Sequence, residues 1–226
     1  MRHLTNTTFL WGVSLAVALT ARSAVSGPLA THPDAFFDGS ITWHGSTPFD
    51  SDGNPAVLEG NDLEGTVDWA VFTKTAFDNA FPASGYSPPA GELAYTFQIN
   101  VGGVTDVSRL AVGINNEPTG TIGSFSGGGV AGIAPVSTSL LPNTTSTTSA
   151  EFSFVGSTIP VGSSSSGLAF SSRRIPVDFF GSVVDGGLSA LVIPLPSPSP
   201  VNIPEPSTVV LAGMALVLLG WRRSRR

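Results

Sequence analysis

In the stretch "LEGTVDWAVF", Leu63, Val67, Trp69 and Val71 fall on one face of an extended chain, with Glu64, Thr66 and Asp68 on the other. The stretch "ELAYTFQINV" repeats the pattern: Leu93, Tyr95, Phe97, Ile99 and Val101 oppose Thr96, Gln98 and Asn100. Side chains alternate across a strand with period two, so both segments are predicted to be half-buried strands. Residues 104–114, 151–155, 167–170, 176–180 and 188–193 are predicted as further strands. No part of this body carries a helical stripe over three turns, and Gly/Ser/Pro clusters punctuate the strands.

The predicted fold is therefore all-β, an antiparallel β-sandwich of jelly-roll-like form. Its core candidates are Val67, Trp69, Val71, Tyr95, Phe97, Ile99, Val112, Phe152, Phe154, Phe170 and Phe179. Composition agrees: 26 Gly and 18 Pro among 226 residues, with only 12% charged, suit many turns and short strands. The tracts "STSLLPNTTSTTSAE" and "GSSSSG" are predicted surface loops with little to bury.

The two ends break the alternation. Residues 1–26 hold Arg2 and His3, an apolar stretch over residues 9–19 and small residues before Gly27. That layout predicts a signal peptide with a helical apolar core, handled by the general secretion machinery. Residues 194–203 hold Pro194, Pro196, Pro198 and Pro200 and are predicted to form an extended, polyproline-like linker, so that the exported domain covers residues 27–193.

Residues 209–221 are apolar and are followed at once by Arg222, Arg223, Arg225 and Arg226. As a helix of about fifteen residues such a run is a marginal membrane span, about 22 Å against a hydrocarbon core of ~30 Å. The arginines can snorkel and resist translocation, which places them in the cytoplasm and the body outside. Pro204 and Pro206 keep the preceding segment extended around Glu205.

Pro204-Glu205-Pro206-Ser207, the short apolar helix and the Arg-rich end together resemble the PEP-CTERM sorting signal of Gram-negative bacteria that make extracellular polysaccharide. The resemblance covers residues 204–226. It implies that Pro204, Glu205 and Pro206 are the motif recognised by exosortase, which removes the helix and basic tail. It also implies an inner-membrane intermediate, followed by delivery to the cell surface or extracellular matrix. This chain has Ile203 where the family often has Val. About the activity of the body the resemblance is silent.

Charge and cysteine usage exclude several functions. From residue 27 to residue 200 there are four basic and fifteen acidic residues, a net of −11, which repels a nucleic-acid backbone. The absence of cysteine excludes disulfides, thiolate metal sites, cysteine nucleophiles and a lipid-modified cysteine.

The sharpest local feature is "DSDGNPAVLEGNDLE". Asp50, Asp52 and Asn54 alternate so that their oxygens can wrap one Ca²⁺, the only cofactor the sequence suggests. The EF-hand pattern fails, with Pro55 at the turn-glycine place and Asn61 at the place of the bidentate Glu. A solvated Asp-Gly turn with a following acidic loop is the favoured reading. Trp43 and Tyr86 lie beside turns and are candidates for stacking on a sugar.

Catalysis finds little support. After signal removal only His32 and His44 remain, with no Gly-x-Ser-x-Gly or His-Glu-x-x-His motif. His44 stands two residues from Ser46, but a histidine near a turn is usually structural. The reading is a non-enzymatic, exported surface or matrix protein. A carbohydrate-binding or adhesive module, possible partner of extracellular polysaccharide, is its rival, and a secreted hydrolase ranks last.

Overall fold

Strand pairing is longest where the alternation is clearest: Gly65 stands opposite Val101, and the register runs unbroken to Thr73 opposite Leu93. In this computed structural model the described residues are 28–52, 62–117, 119–142 and 147–200. The predicted signal helix and residues 204–226, with their predicted hydrophobic helix, lie outside them. In chain order the elements are β1 (His44–Asp50), β2 (Glu64–Thr73), α1 (Lys74–Ala80), β3 (Leu93–Val101), β4 (Arg109–Glu117), β5 (Ile122–Phe125), β6 (Ser137–Pro142), β7 (Thr147–Ser153), β8 (Gly167–Ser172), β9 (Pro176–Val184) and β10 (Ser189–Pro198).

These strands form two five-stranded antiparallel sheets, β1-β2-β3-β8-β5 and β10-β9-β4-β7-β6. The all-β sandwich is as predicted, although ten strands exceed the eight of a jelly roll. Between the sheets lies the main core. Val67, Trp69, Val71, Tyr95, Phe97, Ile99 and Phe170 from the first sheet meet Leu110, Val112, Phe152 and Val183 from the second, all buried. The Tyr95 and Phe170 rings are parallel-stacked with centroids 5.0 Å apart. The indole and a threonine hydroxyl form a chain of bonds there: Trp69 Nε1 donates to Thr47 Oγ1 at 3.0 Å, and Thr47 Oγ1 donates to the Pro194 carbonyl at 2.6 Å.

The opposite face of the first sheet differs from the half-exposed face that alternation predicts. At one end Ala70, Phe72, Ala94 and Ala169 join Leu29, Ala35, Phe77, Phe81, Phe125 and Val130 in a second apolar cluster. Its phenylalanine rings meet at centroid distances of 4.8–6.1 Å, mostly edge to face. At the other end Asp68, Thr96 and Gln98 are buried. Gln98 Nε2 donates to the Ala131 and Ser165 carbonyls, Asn100 Nδ2 donates to Asp68 Oδ2, and Thr96 Oγ1 donates to the Ala70 carbonyl. The polar residues sit on the predicted face but are buried there; loop carbonyls partner Gln98, while Asp68 and Thr96 are bonded within the sheet, as burial demands.

Three further differences have local causes. Helix α1 is too short to show a stripe. Thr73 caps it by accepting from the Ala76 N–H at 3.2 Å, and Phe77 buries its apolar side. Phe179, a core candidate, is only half-buried and packs on Phe180 at 4.5 Å.

Most telling is the end of the domain, predicted at residue 193: β10 continues to Pro198, with Leu195, Pro196, Ser197 and Pro198 buried. Alternate residues of a strand direct their N–H groups to opposite sides, so prolines two apart lack donors on one side only. Beyond a register shift between Val192 and Leu195, Pro196 and Pro198 therefore leave pairing with β9 in place, where Leu195 faces Phe179 and Ser197 faces Val177. The linker predicted over residues 194–203 thus begins as an edge strand.

Candidate functional site

The first sheet's open end gathers three acids. β1 ends at Asp50, opposite Glu64, and the Ser51 N–H donates to the Leu63 carbonyl at 3.1 Å. That pairing brings Asp62, on the way into β2, beside Asp50 and Asp52. One carboxylate oxygen from each of the three lies within 4.8 Å of the others. Asp50 Oδ1 accepts from the Asp52 N–H at 2.9 Å, which fixes the turn.

The loop from β3 to β4 fixes Asp62, whose carbonyl accepts from the Val104 N–H, the Thr105 N–H and Thr105 Oγ1 at 3.0–3.2 Å. Glycine at 103 is required for this approach: a Cβ there would stand 2.6 Å from the Asp62 carbonyl oxygen and 2.7 Å from the Glu64 nitrogen.

Asp62 is 1% exposed. Its Oδ1 accepts from Ser51 Oγ at 3.3 Å, while its Oδ2 accepts no hydrogen bond among the described residues. Of the predicted oxygen ligands Asp50, Asp52 and Asn54, the structure brings the first two together, and Asn54 lies outside the described residues. Asp62 takes the third corner. Its place ten residues beyond Asp52 hides it from any i, i+2 pattern, and only the β1–β2 register reveals it.

The stacking candidates are otherwise engaged. Trp43 is 6% exposed and belongs to the main core, with its Nε1 donating to Asp38 Oδ2 at 2.8 Å. The Asp38 carboxyl, which also accepts from Ser40 Oγ and from the Ser40 and Ile41 N–H groups, is held well below the usual carboxylate range by these bonds, Ser40 Oγ foremost. Tyr86 packs on the second cluster, its ring edge-on to Phe77 at 5.6 Å, and burial pushes its hydroxyl up in pKa. It also lines a shallow surface depression with Asp78, Phe81, Ser84 and Ser87. The two rings thus belong to separate clusters and form no shared platform.

Both histidines make structural contacts. His44 Nδ1 donates to the Ala30 carbonyl at 2.6 Å, and His32 packs edge-on to Phe72 at 5.0 Å. Burial lowers the His32 pKa, against an opposing pull from Asp34.

Residues 202–226 match the family model described as the PEP-CTERM protein-sorting motif. The chain carries a PEP-CTERM sorting motif. Pro204, Glu205 and Pro206 and the arginines at 222, 223, 225 and 226 all fall within the matched PEP-CTERM residues. The motif implies export, recognition by exosortase and a membrane-anchored intermediate. No curated protein and no solved structure matches the chain. Among the described residues no helix is long and apolar enough to cross a membrane, and residues 209–221 lie outside them.

Proposed function

We propose that this is a non-enzymatic surface or matrix protein of a Gram-negative bacterium, with the β-sandwich as the displayed body. The general secretion machinery exports it, the C-terminal segment holds it in the inner membrane, and exosortase cuts at or near Pro204-Glu205-Pro206. Extracellular polysaccharide is the partner to be expected in that setting. The observation that carries this reading is the sorting-motif match over residues 202–226, four residues beyond the end of β10 at Pro198.

The non-enzymatic part rests on the sequence, where no Gly-x-Ser-x-Gly or His-Glu-x-x-His motif occurs. With no cysteine in the chain, the folded body relies on two packed cores and ladder hydrogen bonds, as a disulfide-free exported domain must.

Replacing Pro204, Glu205 and Pro206 together by alanine tests the assignment. The wild-type chain is expected in the surface and medium fractions of its native cells, and the variant in the inner-membrane fraction. Equal release of both would refute recognition through this motif.

A further inference from the structure

We infer that Asp50, Asp52 and Asp62 form a Ca²⁺ site that ties the end of β1 to the start of β2. Two observations carry this independently. The first is convergence: oxygens from three carboxylates lie within 4.8 Å of one another. Three oxygens with that mutual spacing have a common centre no more than about 2.8 Å from each, so a small side-chain adjustment brings all three to the 2.3–2.6 Å of a Ca²⁺ shell; Mg²⁺, at about 2.1 Å, demands closer oxygens and stricter geometry.

The second is Asp62 itself. It is 1% exposed, contributes its carboxylate to the cluster, and has an Oδ2 that accepts no hydrogen bond among the described residues. A buried anionic oxygen without a donor is costly unless a cation answers it.

The donor set selects the ion's class. All three side chains offer hard oxygen and none offers nitrogen or sulfur, which favours Ca²⁺ over zinc or copper. The site is partly built before any ion arrives, because the three hydrogen bonds on the Asp62 carbonyl and the Asp52 N–H bond to Asp50 hold the backbone.

Three carboxylates leave about half of a Ca²⁺ coordination shell to water and backbone oxygen, which places the affinity in the weak extracellular class, about 10⁻⁴–10⁻³ M. Such a site fills outside the cell and empties in the cytoplasm. It would stiffen the sandwich only after export.

The test is thermal unfolding of the full chain in detergent micelles, followed by tryptophan fluorescence. Conditions are CaCl₂ or MgCl₂ at about 10 mM, with NaCl at matched ionic strength as reference. With a Kd near 0.5 mM, Ca²⁺ is expected to raise Tm by about 4–7 °C. Asp52→Asn, at an exposed position, and Asp62→Asn, which removes a buried charge without changing shape, should each unfold cooperatively and lose the Ca²⁺ shift. An unchanged wild-type Tm in Ca²⁺ would overturn the site. So would an equal rise in Mg²⁺ or NaCl, or a full Ca²⁺ shift retained by Asp52→Asn, since these mark screening of the acidic surface.

Discussion

The sandwich over residues 28–200 and the segment over residues 202–226 carry different kinds of information. In the segment a few residue types in order suffice: Pro204-Glu205-Pro206, an apolar run, then arginines. In the sandwich almost nothing is local. Phe152 is buried because β7 lies beside β4 in the second sheet, which shares one core with Phe97 and Phe170 of the first.

Many sequences with apolar alternation can fill such a core, so the fold alone names no partner. The sorting signal therefore lies in the segment, and the fold in the sandwich.

If the two regions are independent, damage to one should leave the other's readout unchanged. The largest stability loss is expected from Phe152→Ala, which empties a fully buried site in the main core and should cost about 3–5 kcal/mol in denaturant unfolding. Whatever fraction is recovered folded should still carry the processed terminus.

A smaller loss, about 1 kcal/mol, is expected from Thr73→Ala, which removes the α1 cap and so probes the second apolar cluster by itself. Comparing its effect on Tm with that of Phe152→Ala shows how far the outer cluster is separable from the inner core.

Acid should reveal Asp38 more gently still. Its folded-state pKa lies below its ordinary value of 3.8, so the bonds to Ser40 and Trp43 stabilise fully above that value and are lost as pH falls below it. Tm of Asp38→Ala should be lower than wild type near neutral pH and should fall less steeply below pH 3.8. Least of all should Glu205→Ala affect the fold: its Tm should equal wild type within error, while processing is lost. A Tm change as large as that of Thr73→Ala would show that the segment is part of the folded unit.

How much of this could be read in advance follows from range. The inner face of the first sheet was legible because Val67, Trp69, Val71, Tyr95, Phe97 and Ile99 alternate without interruption. Its outer face was not, because the cover over Phe72 and Gln98 comes from Leu29, Phe125 and Ala131, far away in sequence.

Prolines at 196 and 198 suggested a linker, since composition does not say on which side of a strand a missing N–H falls. Trp43 and Tyr86 do lie near turns, but a nearby turn can fold over a ring as well as expose it, and the Asp38 bond to the indole shows the former. For the acid cluster, Asp50 and Asp52 follow from an i, i+2 pattern, whereas Asp62 needs the hairpin register.

The most direct test of the account is the C-terminal peptide of the protein recovered from its native cells, read by mass spectrometry in membrane and extracellular fractions. A mature terminus at or near Pro204-Glu205-Pro206 is expected in the extracellular fraction, with the "WRRSRR" end confined to the membrane-held precursor. Mature surface protein that retains "WRRSRR" would contradict it, and would make the segment a permanent anchor.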